Sequence, residues 1–112
     1  MHFAPLGHIP NRNETLVANV LRDALHASLN YRVSAKMPGH GYQLQEQDFL
    51  LSVSHSVGVR DLTWGMWTMI LTAMKGYVEA YRGYDFLFEV ELVEEEQLRG
   101  YIIGAGFAMT RG

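Results

Sequence analysis

Histidines and carboxylates are the side chains of this 112-residue chain that could carry out chemistry. The five histidines are His2, His8, His26, His40 and His55. None stands in an HExxH motif, or at another close spacing that would place two imidazoles on one helix face. His2 and His8 could at most form a loose surface site near the N-terminus. We therefore expect no metal site and no cofactor.

His55 lies on the apolar side of DFLLSVSHSVGV, a stretch that alternates between apolar and hydroxyl-bearing residues. On a strand, His55 could be a buried neutral imidazole bonded to a hydroxyl, or a general base in a pocket under the sheet. Ser54 and Ser56 would point to the opposite face, so neither forms a nucleophile–base pair with His55 within the strand. The G-x-S-x-G motif of serine hydrolases is absent.

Glu89 and Glu91 are the carboxylates whose spacing could matter for catalysis. Their two-residue separation in an alternating stretch places both on one strand face, about 7 Å apart. Such a pair is compatible with glycoside chemistry. The commoner explanation of such a pair is a solvated sheet face or edge, where like charges discourage aggregation.

The segment LTWGMWTMILTAMKGY, residues 62–77, predicts a helix that is apolar around most of its circumference. Trp64, Met66, Trp67 and Met69 widen its apolar arc beyond that of an ordinary surface helix. Three interpretations stay open: a core helix, a core helix that also carries a partner or self-association surface, and the wall of a ligand pocket. Its polar side lacks the Lys and Arg enrichment of a helix that lies on a membrane.

Two helices are predicted from apolar residues that recur at helical spacing, over residues 13–30 and 61–82. Asn13 is the predicted N-cap of the first helix, and Asp61 or Thr63 that of the second. Gly83 is expected to end the second helix.

Strands are predicted over residues 48–57, 84–93 and 100–110, the last two forming a hairpin. Residues 1–12 contain two prolines and a glycine and are expected to be an irregular arm, whereas 31–35 could form a short strand before a loop. The chain is thus predicted to be one α+β domain of order α-β-α-β-β. Its small, mainly antiparallel sheet would carry both helices on one face, with the strand order left open.

The last strand carries glycines whose position predicts a close contact. Gly104 and Gly106 would share one face, where Gly76 of the second helix could pack against them. The other face would present Tyr101, Ile103, Ala105, Phe107 and Met109.

Composition narrows the function classes. The residues are 48% hydrophobic and 19% charged, which is typical of a globular domain. A net charge of −3 and scattered Lys and Arg residues argue against nucleic-acid binding. The absence of cysteine excludes disulfides, thiolate metal sites and cysteine nucleophiles. No signal peptide is recognisable, and the apolar runs are too short to span a membrane.

The C-terminal half, from Asp61 to Ala108, contains a set of positions that together suggest a family: Leu62, Thr63, Trp64, Gly76, Phe86, Phe88, Glu89, Gly100, Gly104 and Gly106. At these positions the chain resembles a group of small uncharacterised fungal α+β proteins, many of them secreted. The resemblance implies a fungal, extracellular protein, while a cytoplasmic one stays open. It supplies no catalytic residue.

The sequence therefore predicts a small non-enzymatic binding protein. Its partner would be another protein or a second copy, with a homodimer formed through a sheet edge or the long helix. The alternative is a cofactor-independent isomerase or cyclase, or a carrier of a small apolar ligand, with a pocket near His55 and an acidic residue such as Glu89 or Glu91.

Overall fold

The computed structural model describes residues 2–38, 41–55, 62–94 and 99–110, except for the side chains of His55 and of residues 92–94 and 99–103. In chain order the elements are β1 (His2–His8), α1 (Glu14–Ser28), β2 (Tyr42–Glu46), β3 (Phe49–His55), α2 (Trp64–Ala80), β4 (Tyr84–Glu94) and β5 (Arg99–Thr110). The α+β class is confirmed. The order within it differs from the prediction, because two strands were missed.

The five strands form one sheet in the order β1-β4-β5-β3-β2, and every neighbouring pair is antiparallel. The strand order that the sequence left open is therefore fixed by two hairpins, β2–β3 and β4–β5, joined side by side. In the register, Ala108 of β5 stands opposite both Phe86 of β4 and Leu51 of β3. These three positions share the face that the helices cover.

Both helices begin at the caps that the sequence predicts. The Asn13 side chain accepts a hydrogen bond from the backbone N–H of Leu16 at 3.1 Å. Thr63 does the same for Met66 at 3.2 Å. Each cap satisfies a backbone donor that the first turn of a helix leaves unpaired.

The core lies between the sheet and the two helices. Strand alternation turns one side chain in two inward, as predicted for β3 and β4. The buried strand residues are Phe49, Leu51, Val53, Phe86, Phe88, Val90 and Ala108. From the helices, the buried apolar residues are Leu16, Val17, Val20, Leu21, Ala24, Trp64, Trp67, Ile70, Leu71, Met74 and Val78. Most of the apolar surface of α2 is thus used within the domain.

The N-terminal segment is a strand, so the expectation of an irregular arm was wrong. β1 pairs with β4, and its register shifts between Pro5 and Gly7. Proline lacks a backbone donor and is therefore confined to edge strands or bulges, and β1 has both features. Phe3 faces inward and stacks on Tyr77 of α2, with ring centroids 4.4 Å apart.

β2 was also missed, because its residues lie in the segment predicted as a loop. Tyr42 and Leu44 alternate with Gln43 and Gln45, and the strand pairs with β3 from Tyr42 opposite Val53 onward. Gln47 takes a positive φ of 51° in the connecting turn. Residues 31–35 form no strand.

The glycines of β5 make a different contact from the one predicted. A Cβ on Gly106 would lie 2.0 Å from the Ser52 carbonyl oxygen and 2.5 Å from Phe88 Cζ. Gly106 is therefore covered by the neighbouring strands. Gly76 is exposed, and a Cβ added there would have nothing within 4 Å, so its predicted packing role was wrong.

Candidate functional site

Four large exposed apolar side chains lie where the end of α1 meets the start of α2. We call this group the apolar patch, formed by Leu29, Tyr31, Val33 and Met69. Their exposed fractions range from 52% for Tyr31 to 76% for Val33. Single exposed apolar residues are common, but a group of large ones marks an interaction site.

Backbone hydrogen bonds hold the loop of the apolar patch against α2. The Gly65 N–H donates to the Val33 carbonyl oxygen at 3.0 Å, and the Trp64 N–H donates to that of Ala35 at 2.9 Å. The missing Cβ of Gly65 makes room for this approach, because it would lie only 2.3 Å from Val33 Cγ1. Met69 follows Gly65 by one helical turn, on the same side of α2.

The end of α1 is tied to α2 at the same place. The hydroxyl groups of Ser28 and Thr68 are hydrogen-bonded at 2.9 Å. Leu29, the C-cap of α1, follows directly. The four side chains of the apolar patch are thus carried by backbone that packs together.

An aromatic stack lies beneath the apolar patch. The rings of Tyr31 and Trp64 are parallel within 5°, with centroids 4.0 Å apart. Tyr42 meets the edge of Trp64 at 5.7 Å and also contacts Trp67 at 5.8 Å. The pKa of Tyr42 is raised above its ordinary value of 10.0, chiefly by burial and to a smaller extent by the neighbouring Tyr31. Trp64 is therefore covered by side chains of this chain itself.

The charged residues in the segments that form the apolar patch are all basic. Residues 24–45 contain no carboxylate, and their charged residues are Arg32 and Lys36. Both are exposed. Residues 62–78 also contain no carboxylate, and their charged residue is Lys75. Arg32, exposed between Tyr31 and Val33 in the sequence, thus places a positive charge at the apolar patch.

The four residues predicted to line a ligand or partner surface separate into two groups. Trp64 and Trp67 are buried, and Met66 is half-buried against the core. Met69 is 74% exposed and belongs to the apolar patch. Leu29 escaped prediction because it lies within the predicted helix 13–30, and Tyr31 and Val33 because they follow that helix without periodicity. The one signal in the sequence was three large apolar residues within five positions.

The predicted acid–base residues are not brought together in what the structure describes. His55 lies on the inward phase of β3, but its side chain is outside the described residues. Glu89 is exposed on the opposite face of the sheet, as strand alternation places it. Glu91 is paired with His2 across β1 and β4. The pair of glutamates therefore belongs to the solvent side of the sheet.

Two grooves of the described chain are large enough to note. One of about 420 Å³ runs between α1 and α2, with Leu21, Leu25 and Leu71 along its floor and exposed Arg22 and Lys75 in its lining. Another of about 270 Å³ lies beside the Ile9–Asn13 turn. The described lining of neither includes Glu89 or Glu91.

A buried ion network, absent from the sequence prediction, lies beside the smaller groove. Arg12 contacts Glu14 through two nitrogen–oxygen pairs of 3.0 and 3.1 Å, and lies 3.4 Å from Asp85. It also donates to the Tyr84 carbonyl oxygen. Asp85 in turn accepts from the Thr110 backbone and hydroxyl at 2.9 and 3.0 Å. Because these groups satisfy one another, the network stabilises the fold rather than offering a reactive site.

Among the described residues, no three of the His, Asp and Glu side chains are grouped so as to hold a metal ion. Across that same part of the chain, no helix is both long and apolar enough to cross a bilayer. Comparison with protein-family models, curated proteins and solved structures finds no match.

Proposed function

We propose that this protein is a small non-enzymatic binding protein that docks another protein on the apolar patch. The observation that carries the proposal is the grouping of four large apolar side chains, each at least half exposed, over an aromatic stack. Interfaces draw most of their binding energy from a few such anchors that become desolvated. The fungal, secreted setting is a further proposal that rests on the resemblance of the C-terminal half alone.

The positive charge beside the apolar patch supports an acidic partner. Arg32 stands between Tyr31 and Val33 in the same loop, in a segment without carboxylates. A partner segment that carries apolar side chains beside Asp or Glu would match both features. Complementary charge would speed the encounter and fix its orientation.

The rigid backing of the apolar patch also favours binding. Val33 is held by the Gly65 N–H, and Tyr31 by its stack on Trp64. A surface that is already ordered loses less conformational entropy when a partner binds. The loop therefore presents its side chains in a fixed arrangement before the encounter.

Selection from a random peptide library displayed on phage tests the proposal while the natural partner is still unidentified. We expect the selected peptides to combine aromatic or aliphatic residues with Asp or Glu. Val33→Ser and Met69→Ser should each weaken binding of a selected peptide by about tenfold, the loss expected for a desolvated anchor. Leu6→Ser, an exposed apolar position on the edge strand β1, is the control and should bind as wild type. Selected peptides that bind both patch variants as tightly as wild type would refute the proposal. So would a library that yields no binder.

A further inference from the structure

The outer face of the sheet, which neither helix covers, has an apolar centre. Leu87 of β4 stands opposite Phe107 of β5, and Leu50 of β3 stands opposite Met109 of β5. All four alternate with the inward core residues and therefore point outward. Together with two alanines they form what we call the outer apolar cluster: Ala4, Leu50, Leu87, Ala105, Phe107 and Met109.

Polar residues surround the outer apolar cluster on the same face. Ser52 of β3 lies beside Phe107, and Gln43 of β2 lies beside Ser52. Glu89 of β4 lies beside Ala105, and His2 of β1 lies beside Glu89. An antiparallel sheet with one face in water normally alternates apolar-in and polar-out. Here the outward-facing residues are apolar in the middle of the sheet and polar at its margin. An apolar centre inside a polar rim is the anatomy of a protein interface.

The area of this face agrees with what a stable dimer needs. Strands of about eight residues on average span about 28 Å, and five strands span about 24 Å. The flat area is therefore about 700 Å², against about 800 Å² buried on each partner in a standard interface. Leu87 and Met109 keep 43% and 38% of their surface exposed, so apolar area is there to be buried.

We propose that a second copy of this chain packs on the outer apolar cluster, sheet against sheet. A two-fold axis in the interface, perpendicular to the strands, would superpose the Leu87–Phe107 rows of the two copies. The same axis would direct the Glu89 end of one sheet toward the Gln45 end of the other, so that the two Glu89 side chains do not face each other. Face-to-face sheets pack about 10 Å apart, which accommodates interdigitated Leu, Phe and Met side chains.

This interface differs from the sheet edge and the long helix that the sequence suggested for a homodimer. It also lies on the opposite side of the domain from the apolar patch. The dimer would therefore present two apolar patches, one on each outer side, and both would stay open to partners. The inference does not depend on the proposed function.

Sedimentation equilibrium over about a hundredfold range of protein concentration tests the dimer. We expect wild type to populate a dimer and Leu87→Lys to weaken its association by at least about 100-fold, because each dimer would bury two unpaired charges. Met109→Lys is a second variant at another exposed position, in case the first does not fold. Val33→Lys, on the apolar patch, is the matched control and should remain dimeric. A wild-type protein that is monomeric throughout, or a folded Leu87→Lys or Met109→Lys variant that dimerises as wild type does, would overturn the inference.

Discussion

Tyr31 lies flat on Trp64, with ring centroids 4.0 Å apart and planes 5° apart. This contact joins a loop residue that is half exposed to a helix residue that is 5% exposed. It explains how a helix with so much apolar surface is shielded from water at its first turn. It also fixes the loop that carries the apolar patch.

Replacing Tyr31 by Ala should uncover Trp64. We expect the tryptophan fluorescence to shift to longer wavelength and the free energy of unfolding to fall by about 1–2 kcal/mol, the loss of a stacked pair and its buried area. Tyr31→Phe keeps the ring and should retain the wild-type emission. An unchanged spectrum in Tyr31→Ala would show that the ring does not cover Trp64 in solution.

Arg12 should be a major determinant of stability although it lies outside both helices and the sheet. Its side chain is 2% exposed and is shared by Glu14 and Asp85. Arg12→Met would leave the buried Asp85 without its cation, so we expect a loss of about 3 kcal/mol in urea unfolding. Arg12→Lys should recover only part of this, because an ammonium cannot reproduce the two-pronged contact with Glu14.

Arg22→Met is the control for this experiment. Arg22 is exposed, and its 3.6 Å pair with Asp23 is a surface contact. We expect a change within about 0.5 kcal/mol. Equal losses for Arg12→Met and Arg22→Met would refute the assignment of a buried network.

Two glycine-to-alanine substitutions should have opposite effects. Gly106→Ala would place a methyl group against the Ser52 carbonyl oxygen and the Phe88 ring, and the two neighbouring strands cannot both retreat. We expect a loss of about 3 kcal/mol or more. Gly76→Ala has open space and restricts the unfolded chain, so it should stabilise by about 1 kcal/mol. Thermal unfolding followed by circular dichroism measures both, and a stabilising Gly106→Ala would contradict the described register.

Glu46 should titrate above its ordinary value of 4.5. Its pKa is raised chiefly by a side-chain hydrogen bond with Asp23, with smaller contributions from burial and from the Asp23 charge. Between pH 4.5 and the raised pKa, Glu46 of the folded protein keeps a proton that the unfolded chain has already lost. This contribution to stability is present at low pH and is lost as the pH rises from 4.5 through the raised pKa.

NMR of the Glu46 side-chain carboxyl carbon measures this titration. Asp23→Ala should bring the pKa of Glu46 down toward 4.5, because it removes the hydrogen-bond partner and, with it, the neighbouring negative charge. A wild-type Glu46 that titrates at or below 4.5 would show that the two carboxyl groups do not share a proton.

Regular amphipathic patterns account for what the sequence predicted correctly. The caps Asn13 and Thr63, both helices and the alternation of β3 and β4 depend on local spacing, and tertiary packing agrees with it. β1 was hidden by Pro5 and Gly7, which usually interrupt strands but are tolerated at this bulged edge. β2 was hidden because it directly follows Pro38, Gly39 and Gly41, which indicate a loop, although Tyr42 and Leu44 do alternate with polar residues.

The candidate site was only partly predictable for a different reason. Met69 was found because the periodicity of α2 leaves it outside the stripe that the core needs. Val33 and Tyr31 gain their significance from contacts with Gly65 and Trp64, more than thirty positions away. The Arg12–Asp85 contact likewise joins residues 73 positions apart. No local pattern encodes such pairings.

The most direct test of the binding surface is to map it on the folded protein. A peptide selected on wild type would be titrated into ¹⁵N-labelled protein while amide chemical shifts are followed. Binding at the apolar patch predicts that the largest changes occur at residues 29–36 and 65–72, with β4 and β5 little affected. Largest changes on the outer face of the sheet or in the groove between α1 and α2, with residues 29–36 unmoved, would contradict the account.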